Sequence, residues 1–238
     1  MPSPSPTLLT TGAGGATGTP STASITPTSN RLVLAIFTLR ADAAAGVDQI
    51  TVSGCGLTWV RMDEQDFDAG GNRVGGVWRA LGASPSSGAV TFTYGGAGTP
   101  IGSTWIVSEF DNVDTSGTNG SGAVGTLTAN VGTSPPDSGG GTSSGATGQD
   151  ISCAILHTLD NTTNVVGPSG FANIAHLADI ETQTWLDYDV DQLSSFTYTW
   201  DSIPSSRTWA TQGFVIKAAS GATRAYLFHQ PKTLLFID

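Results

Sequence analysis

Residues 103–113, STWIVSEFDNV, restrict the fold more than any other stretch of the chain. Successive side chains of a β-strand point to opposite faces, so Trp105 and Val107 share one face, and Ile106 and Phe110 share the other. Both faces therefore carry large apolar groups, as in a strand that is covered on both sides. The stretch predicts a central strand within a layered β protein.

Similar strands with two apolar faces recur at residues 31–39, RLVLAIFTL, and 150–159, DISCAILHTL. Residues 195–200, SFTYTW, alternate between aromatic and hydroxyl side chains, as a strand with one buried face does. About a dozen such segments follow one another between residues 31 and 217, and none keeps the 3.6-residue period of a helix. The pattern predicts an all-β, antiparallel β-sandwich with a jelly-roll-like arrangement.

The sandwich is expected to form one domain, residues 31–217, with an extension at each end. Residues 1–30 are rich in proline and predict an extended N-terminal arm, to which residues 7–10 could add one short strand. Residues 135–145, PPDSGGGTSSG, predict a long exposed loop inside the domain. Residues 218–238 predict a C-terminal tail.

The charge and the cysteine content narrow the classes of function. The net charge of −10 opposes a phosphate-binding surface, so nucleic acid is not expected as a partner. No apolar run approaches the length of about 18 residues that predicts a membrane span. The N-terminus lacks the basic region and apolar core of a secretion signal, so we expect a protein that is made in the cytoplasm without a signal peptide and either stays there or leaves by lysis or a dedicated machine. Cys55 and Cys153 are expected to be reduced and buried, with a disulfide as the alternative if the fold brings them together, and they do not predict a zinc site.

The C-terminal tail is the most apolar extension of the chain, and Pro231 divides it into two short segments. Large apolar side chains left in water are an aggregation hazard, so the tail is expected to dock on a partner or on a sister subunit, or else to pack on its own domain. The expected partner-binding residues are Tyr226, Leu227, Phe228, Leu234, Leu235, Phe236 and Ile237.

The acidic residues offer weak candidates for a site. Glu109 shares a strand face with Trp105, so it is either a buried carboxylate with a raised pKa, as in a glycosidase, or a strand-end carboxylate held by turn amides; the second interpretation is favoured. Asp187, Asp189 and Asp191 alternate along one strand, which predicts a solvated acidic edge rather than a calcium site. Glu181 is a further carboxylate available for a glycosidase pair.

The histidines and tryptophans give no catalytic pattern. His157, His176 and His229 each lie among apolar residues, without a nucleophile in a recognisable motif, and are expected to be core or interface residues. Sugar binding would need exposed aromatic side chains, yet tryptophans in a sandwich are mostly buried. The tryptophans considered for sugar binding are Trp78, Trp185, Trp200 and Trp209.

Five segments carry a family resemblance: TVSGCGLTWV, RVGGVWRALGA, GAVTFTY, WIVSEFDNVD and GFVIKAA. Together they resemble a group of jelly-roll-like sequences from phage and bacterial genomes, over residues 24–219. The resemblance implies a β-sandwich accessory virion protein of tailed phages, such as a capsid decoration, head-fibre or tail component. It brings no catalytic residues and no cofactor.

The sequence therefore predicts a non-enzymatic structural protein of a virus particle, located in the virion and held by its terminal extensions. Its expected partners are other virion proteins or sister subunits, in a homo-oligomer. Two alternatives stay open: a carbohydrate-binding module that adheres to a host glycan, and a hydrolase that acts on polysaccharide. Neither a cofactor nor a metal is expected.

Overall fold

The computed structural model describes residues 2–68, 70–133, 138–144, 146–159, 165–179, 181–190, 195–204 and 207–219. These residues form fourteen strands, all paired antiparallel, and contain no helix. The all-β, antiparallel prediction is confirmed. The strands are β1 Pro6–Gly14, β2 Leu32–Ala41, β3 Ile50–Gly54, β4 Val60–Asp66, β5 Arg73–Ala80, β6 Val90–Tyr94, β7 Pro100–Phe110, β8 Thr128–Thr133, β9 Ser138–Ser144, β10 Ile151–Thr158, β11 Ala172–Ala178, β12 Gln183–Asp189, β13 Ser195–Asp201 and β14 Thr208–Ile216.

The strands form two five-stranded sheets and two two-stranded ribbons. The first sheet has the order β1-β7-β2-β5-β4, and the first ribbon pairs β3 with β6. The second sheet has the order β11-β12-β10-β14-β8, and the second ribbon pairs β9 with β13. The chain thus completes one sheet and its ribbon before it begins the other, and the jelly-roll-like arrangement is not confirmed.

Three buried apolar clusters show that these parts are stacked in four layers. One cluster joins the two sheets, and includes Ile36 and Ile106 from the first with Ile155 and Phe214 from the second. A second cluster joins the first sheet to the first ribbon, and a third joins the second sheet to the second ribbon. Each sheet is therefore covered on both faces, which explains why its central strands are apolar on both sides.

Strand β7 confirms the prediction made for residues 103–113. It lies between β1 and β2, and every residue from Gly102 to Phe110 is buried. Trp105 and Val107 face the first ribbon, whereas Ile106 and Phe110 face the second sheet. The two apolar faces of the sequence thus correspond to two different packing partners.

The extended N-terminal arm is not confirmed, because these residues pair with the sheets. Strand β1 forms the edge of the first sheet beside β7, and it is longer than the predicted strand at residues 7–10. Farther along, Thr22 N donates to Val90 O at 2.9 Å, and Phe92 N donates to Pro20 O at 2.9 Å. Proline excluded a helix here, as expected, but it did not exclude extended pairing at a sheet edge.

The exposed loop predicted at residues 135–145 is wrong for its described part, since Ser138–Ser144 is strand β9. This strand pairs with β13 along its whole length. A Cβ atom at Gly140 would lie 2.0 Å from the backbone oxygen of Tyr198, and one at Gly139 would lie 2.6 Å from the ring of Trp209. The glycines therefore allow the second ribbon to approach its neighbours closely. The sequence predicted a loop because a segment rich in glycine and serine has the composition of a loop.

Both cysteines are free and buried, as predicted for reduced side chains. Cys55 lies in the cluster under the first ribbon, and Cys153 lies between the two sheets. The residues expected to anchor the protein, 226–228 and 234–237, lie outside the described residues. The first part of the tail is described: Ala218 N donates to Asp150 Oδ1, and Ala219 N donates to Asn112 O, each at 2.8 Å.

Candidate functional site

Glu109 is held as a structural carboxylate, as the favoured interpretation predicted. It is buried at the end of β7, and its Oε1 accepts hydrogen bonds from Arg31 Nη1 at 2.8 Å and Thr28 Oγ1 at 2.9 Å. Its Oε2 accepts from Thr28 N at 2.8 Å. These contacts join residues that precede β2 to the end of β7. Both oxygens are therefore engaged within the protein.

The predicted acidic edge on β12 is wrong, because Asp187 and Asp189 are buried. Asp187 accepts from Asn173 Nδ2 at 2.7 Å and from Trp200 Nε1 at 3.1 Å. Burial raises the pKa of the Asp187 carboxyl to about 6, although both hydrogen bonds oppose the shift. Asp191 lies outside the described residues. The error arose because the second ribbon and residues 165–171 cover a strand face that the sequence pattern left open.

His157 is a core residue, as predicted, and it lies at the centre of a polar seam between the two sheets. The seam consists of Asp63, Thr38, Thr104, His157, Thr182, Thr184 and Gln212. Gln212 Nε2 donates to Asp63 Oδ2 at 2.9 Å, so Gln212 Oε1 accepts from His157 Nε2–H at 2.9 Å. His157 Nδ1 then accepts from the Thr38 hydroxyl at 2.7 Å.

The threonines continue this seam in one direction. Thr182 donates to Thr104 at 3.2 Å, and the hydroxyls of Thr104 and Thr38 each lie within 2.7 Å of the Thr184 hydroxyl. Because every member satisfies its neighbour, the network orients β2, β7, β10, β12 and β14 relative to one another. The seam thus fixes how the two sheets face each other. The apolar cluster alone would permit one sheet to slide over the other.

His157, at the centre of the seam, and Asp187 are expected to change the free energy of unfolding in opposite directions as the pH falls. Burial lowers the pKa of His157 from 6.5 to about 4, so the unfolded chain binds a proton first, and the free energy of unfolding falls as the pH falls through this window. Burial raises the pKa of Asp187 from 3.8 to about 6, so the folded chain binds a proton first, and the free energy of unfolding rises as the pH falls. Each effect amounts to at most about 3 kcal/mol, at about 1.4 kcal/mol per pKa unit.

Urea unfolding of the wild type, His157→Gln and Asp187→Asn between about pH 7 and about pH 4 separates the two effects. On acidification, the stability of the wild type relative to His157→Gln should fall, whereas its stability relative to Asp187→Asn should rise. Parallel pH profiles for all three proteins would contradict both assignments.

The remaining predicted residues do not form a catalytic group. His176 is exposed and stacks on Trp185 with a ring separation of 3.8 Å, so of the two expected roles, core or interface, only the interface role stays a prediction, whereas His229 lies outside the described residues. Glu181 forms an ion pair with Arg40. Trp78 and Trp200 are buried and cannot serve as exposed sugar platforms, whereas Trp185 and Trp209 are half-buried.

The candidate site that the structure does present lies at the edge strand β4, in two clefts that meet at Arg61. The Trp59 cleft, of about 490 Å³, opens between β3 and β4, and the Arg79 cleft, of about 230 Å³, opens between β4 and residues 124–127. The Trp59 cleft is lined by Asp48, Ile50, Thr51, Val52, Trp59, Arg61 and Trp78. The Arg79 cleft is lined by Arg61, Met62, Arg79, Val124, Gly125 and Leu127.

The two arginines that line these clefts differ in whether a carboxylate balances their charge. Arg61 Nη1 forms an ion pair with Asp48 Oδ1 at 2.5 Å and donates to Glu64 Oε2 at 3.1 Å, so its charge is balanced. Arg79 forms no ion pair with any carboxylate of the described chain, and its buried Nε has no hydrogen-bond partner there. Burial lowers the pKa of the Arg79 guanidinium, but a guanidinium stays charged in proteins. Among the residues that the structure describes, the Arg79 cleft therefore holds a positive charge without a counterion.

Sequence reasoning missed this site. It gave no role to Trp59, Arg61 or Arg79, because alternation within β4 and β5 does not show that β4 is an edge strand. The one available signal in the sequence was a tryptophan followed two residues later by an arginine, since residues two apart in an extended strand share a face.

Within the described ranges, no group of three or more His, Cys, Asp or Glu side chains is placed to hold a metal ion. The same part of the chain contains no helix that is long and apolar enough to cross a membrane. Comparisons of the chain with protein-family models, with curated proteins and with solved structures found no match.

Proposed function

We propose that the chain is a non-enzymatic β-sandwich protein of a phage particle, in a capsid decoration, head-fibre or tail position, and that its C-terminal tail anchors it to virion proteins or sister subunits. The observation that carries the proposal is that the central strands of both sheets are covered on both faces. Within the described residues, each sheet is packed on one face by the other sheet and on the other face by a ribbon. A domain packed in this way is suited to be a rigid module displayed on the particle.

The same coverage favours docking of the tail on another molecule. Within the described residues, the central strands of neither sheet present an open apolar face to the tail residues that the sequence predicts as anchors. The tail also leaves the domain from a fixed point, because Ala218 and Ala219 are hydrogen-bonded to Asp150 and Asn112. Strand addition at an outer strand, such as β4 or β11, is a physically reasonable way for such a segment to bind a sister subunit.

The hydrolase alternative has less support. A glycosidase needs two carboxyl groups that face one substrate, with one of them free to donate a proton. Glu109 is occupied by Thr28 and Arg31, and Asp187 by Asn173 and Trp200. Cleavage of a polysaccharide by the wild type, and its loss in Glu109→Gln, would nevertheless establish an enzyme in place of the proposed structural role.

Deleting residues 221–238 tests the anchoring proposal. We expect the truncated protein to fold with a far-ultraviolet circular dichroism spectrum and a urea midpoint close to those of the full chain, because the described strands and apolar clusters all lie before residue 221. We expect it to lose self-association in sedimentation, or incorporation when added to particles that lack the protein. A matched control replaces the same residues with a Gly/Ser segment of equal length. Normal assembly of either variant would refute anchoring through the tail.

A further inference from the structure

We propose that the β4 edge binds an acidic saccharide, with a sugar ring against Trp59 and a carboxylate or sulfate group at Arg79. This inference goes beyond the proposed structural role and does not depend on it. Its two supports are independent: an aromatic cleft with polar groups, and an arginine without an internal counterion beside it.

Strand pairing places the three main residues close together. Val60 is paired with Arg79, and Arg61 with Trp78, across β4 and β5. Trp59 directly precedes this pair. Trp78 points toward the first ribbon, while Arg79 points to the other face of the first sheet, so the two clefts lie on opposite faces and open at the same edge strand. Arg61 lines both clefts, so they adjoin at the edge strand β4, around which a short saccharide would have to pass to reach both.

The Trp59 cleft has the composition of a sugar site. Trp59 Nε1 donates to Gly54 O at 3.2 Å, and its ring packs beside the apolar cluster, so the indole is held in place before a ligand arrives. Thr51, Asp48 and Arg61 surround it with hydroxyl, carboxylate and guanidinium groups that can pair with sugar hydroxyls. The volume of about 490 Å³ falls in the range of small-molecule sites, about 300–1,000 Å³.

The Arg79 cleft specifies an anion. Arg79 lines the cleft with a partly buried positive charge that no carboxylate of the described residues pairs with, and a planar guanidinium forms paired hydrogen bonds with a carboxylate or sulfate. Met62 and Leu127 flank it with apolar surface, which reduces competition from water. The net charge of −10 over the whole chain disfavours extended polyanions such as nucleic acid, so we infer a short acidic saccharide bound through local charge complementarity.

Isothermal titration of the full-length protein with three oligosaccharides of equal length tests this inference: one neutral, one containing uronic acid and one carrying sulfate. We expect at least one acidic oligosaccharide to bind about tenfold or more tightly than the neutral one, the difference expected for a charge-assisted hydrogen-bond pair. The stronger of the two acidic ligands identifies which anion the cleft accepts.

Substitutions in the two clefts test whether the saccharide binds there. Arg79→Gln should remove the preference for the acidic ligand, and Trp59→Ala should weaken both acidic and neutral ligands, with Trp59→Phe as a milder replacement if the alanine variant does not fold. Lys217→Gln and Trp185→Ala are matched controls on other parts of the surface and should bind as the wild type does. The proposal is overturned if no acidic oligosaccharide binds, if binding survives both cleft variants, or if an acidic peptide of equal charge binds as tightly.

Discussion

Replacing Gly75 with alanine is expected to destabilise the protein by about 2–5 kcal/mol, the sum of overpacking and disrupted buried hydrogen bonds. A Cβ atom at this position of β5 would lie 2.3 Å from Cγ of His157. The imidazole cannot move aside, because Thr38 and Gln212 hold its two nitrogens. The gain of about 0.4–1 kcal/mol from reduced freedom of the unfolded chain is too small to compensate. Urea unfolding measures the change.

Two comparisons show whether contact with His157 causes this loss. Gly15→Ala is the matched control, since a Cβ atom there meets nothing within 4 Å, and it should leave stability within about 0.5 kcal/mol of the wild type. In the double variant Gly75→Ala/His157→Ala, the new methyl group has space, so its destabilisation should be smaller than the sum of the single variants. Additive losses would show that the strain at Gly75 comes from elsewhere.

Glu109→Gln is expected to lower the free energy of unfolding by about 1–3 kcal/mol, the range for a hydrogen-bonded buried charge. The amide retains the shape of the side chain, but it removes the negative charge that Arg31 pairs with at 2.8 Å. It also places an N–H₂ group where the carboxylate accepted hydrogen bonds from Thr28 and Arg31. The loss arises in the connection between the residues before β2 and the end of β7.

An exposed ion pair provides the control for this variant. Asp48, whose side chain is 67% exposed, pairs with Arg61, and Asp48→Asn should change stability by less than about 1 kcal/mol. A double-mutant cycle of Glu109→Gln with Arg31→Gln then gives the coupling energy of the buried pair. Equal effects of Glu109→Gln and Asp48→Asn would contradict a structural role for Glu109.

Whether the role of a residue could be predicted from the sequence depends on how far along the chain its interaction partners lie. The roles of His157 as a core residue and of Glu109 as a hydrogen-bonded carboxylate were predictable, because each is embedded in a strand whose apolar neighbours show that it is buried. Asp187 was not predictable, since its burial depends on Trp200 and Asn173 from other strands. Arg79 was not predictable either, because a charge lacks a counterion only after every other strand has been placed.

The sequence by itself determined the all-β architecture and the positions of most strands, because alternation and two-faced apolar runs are local consequences of the β geometry. It also indicated that residues 103–113 would be covered on both sides. Only the tertiary structure decided that each half of the chain forms one sheet, that β9 is a strand and that β4 is an edge. Those features arise from pairing between distant residues, whose register depends on contacts such as Gly140 with Tyr198 and Gly75 with His157.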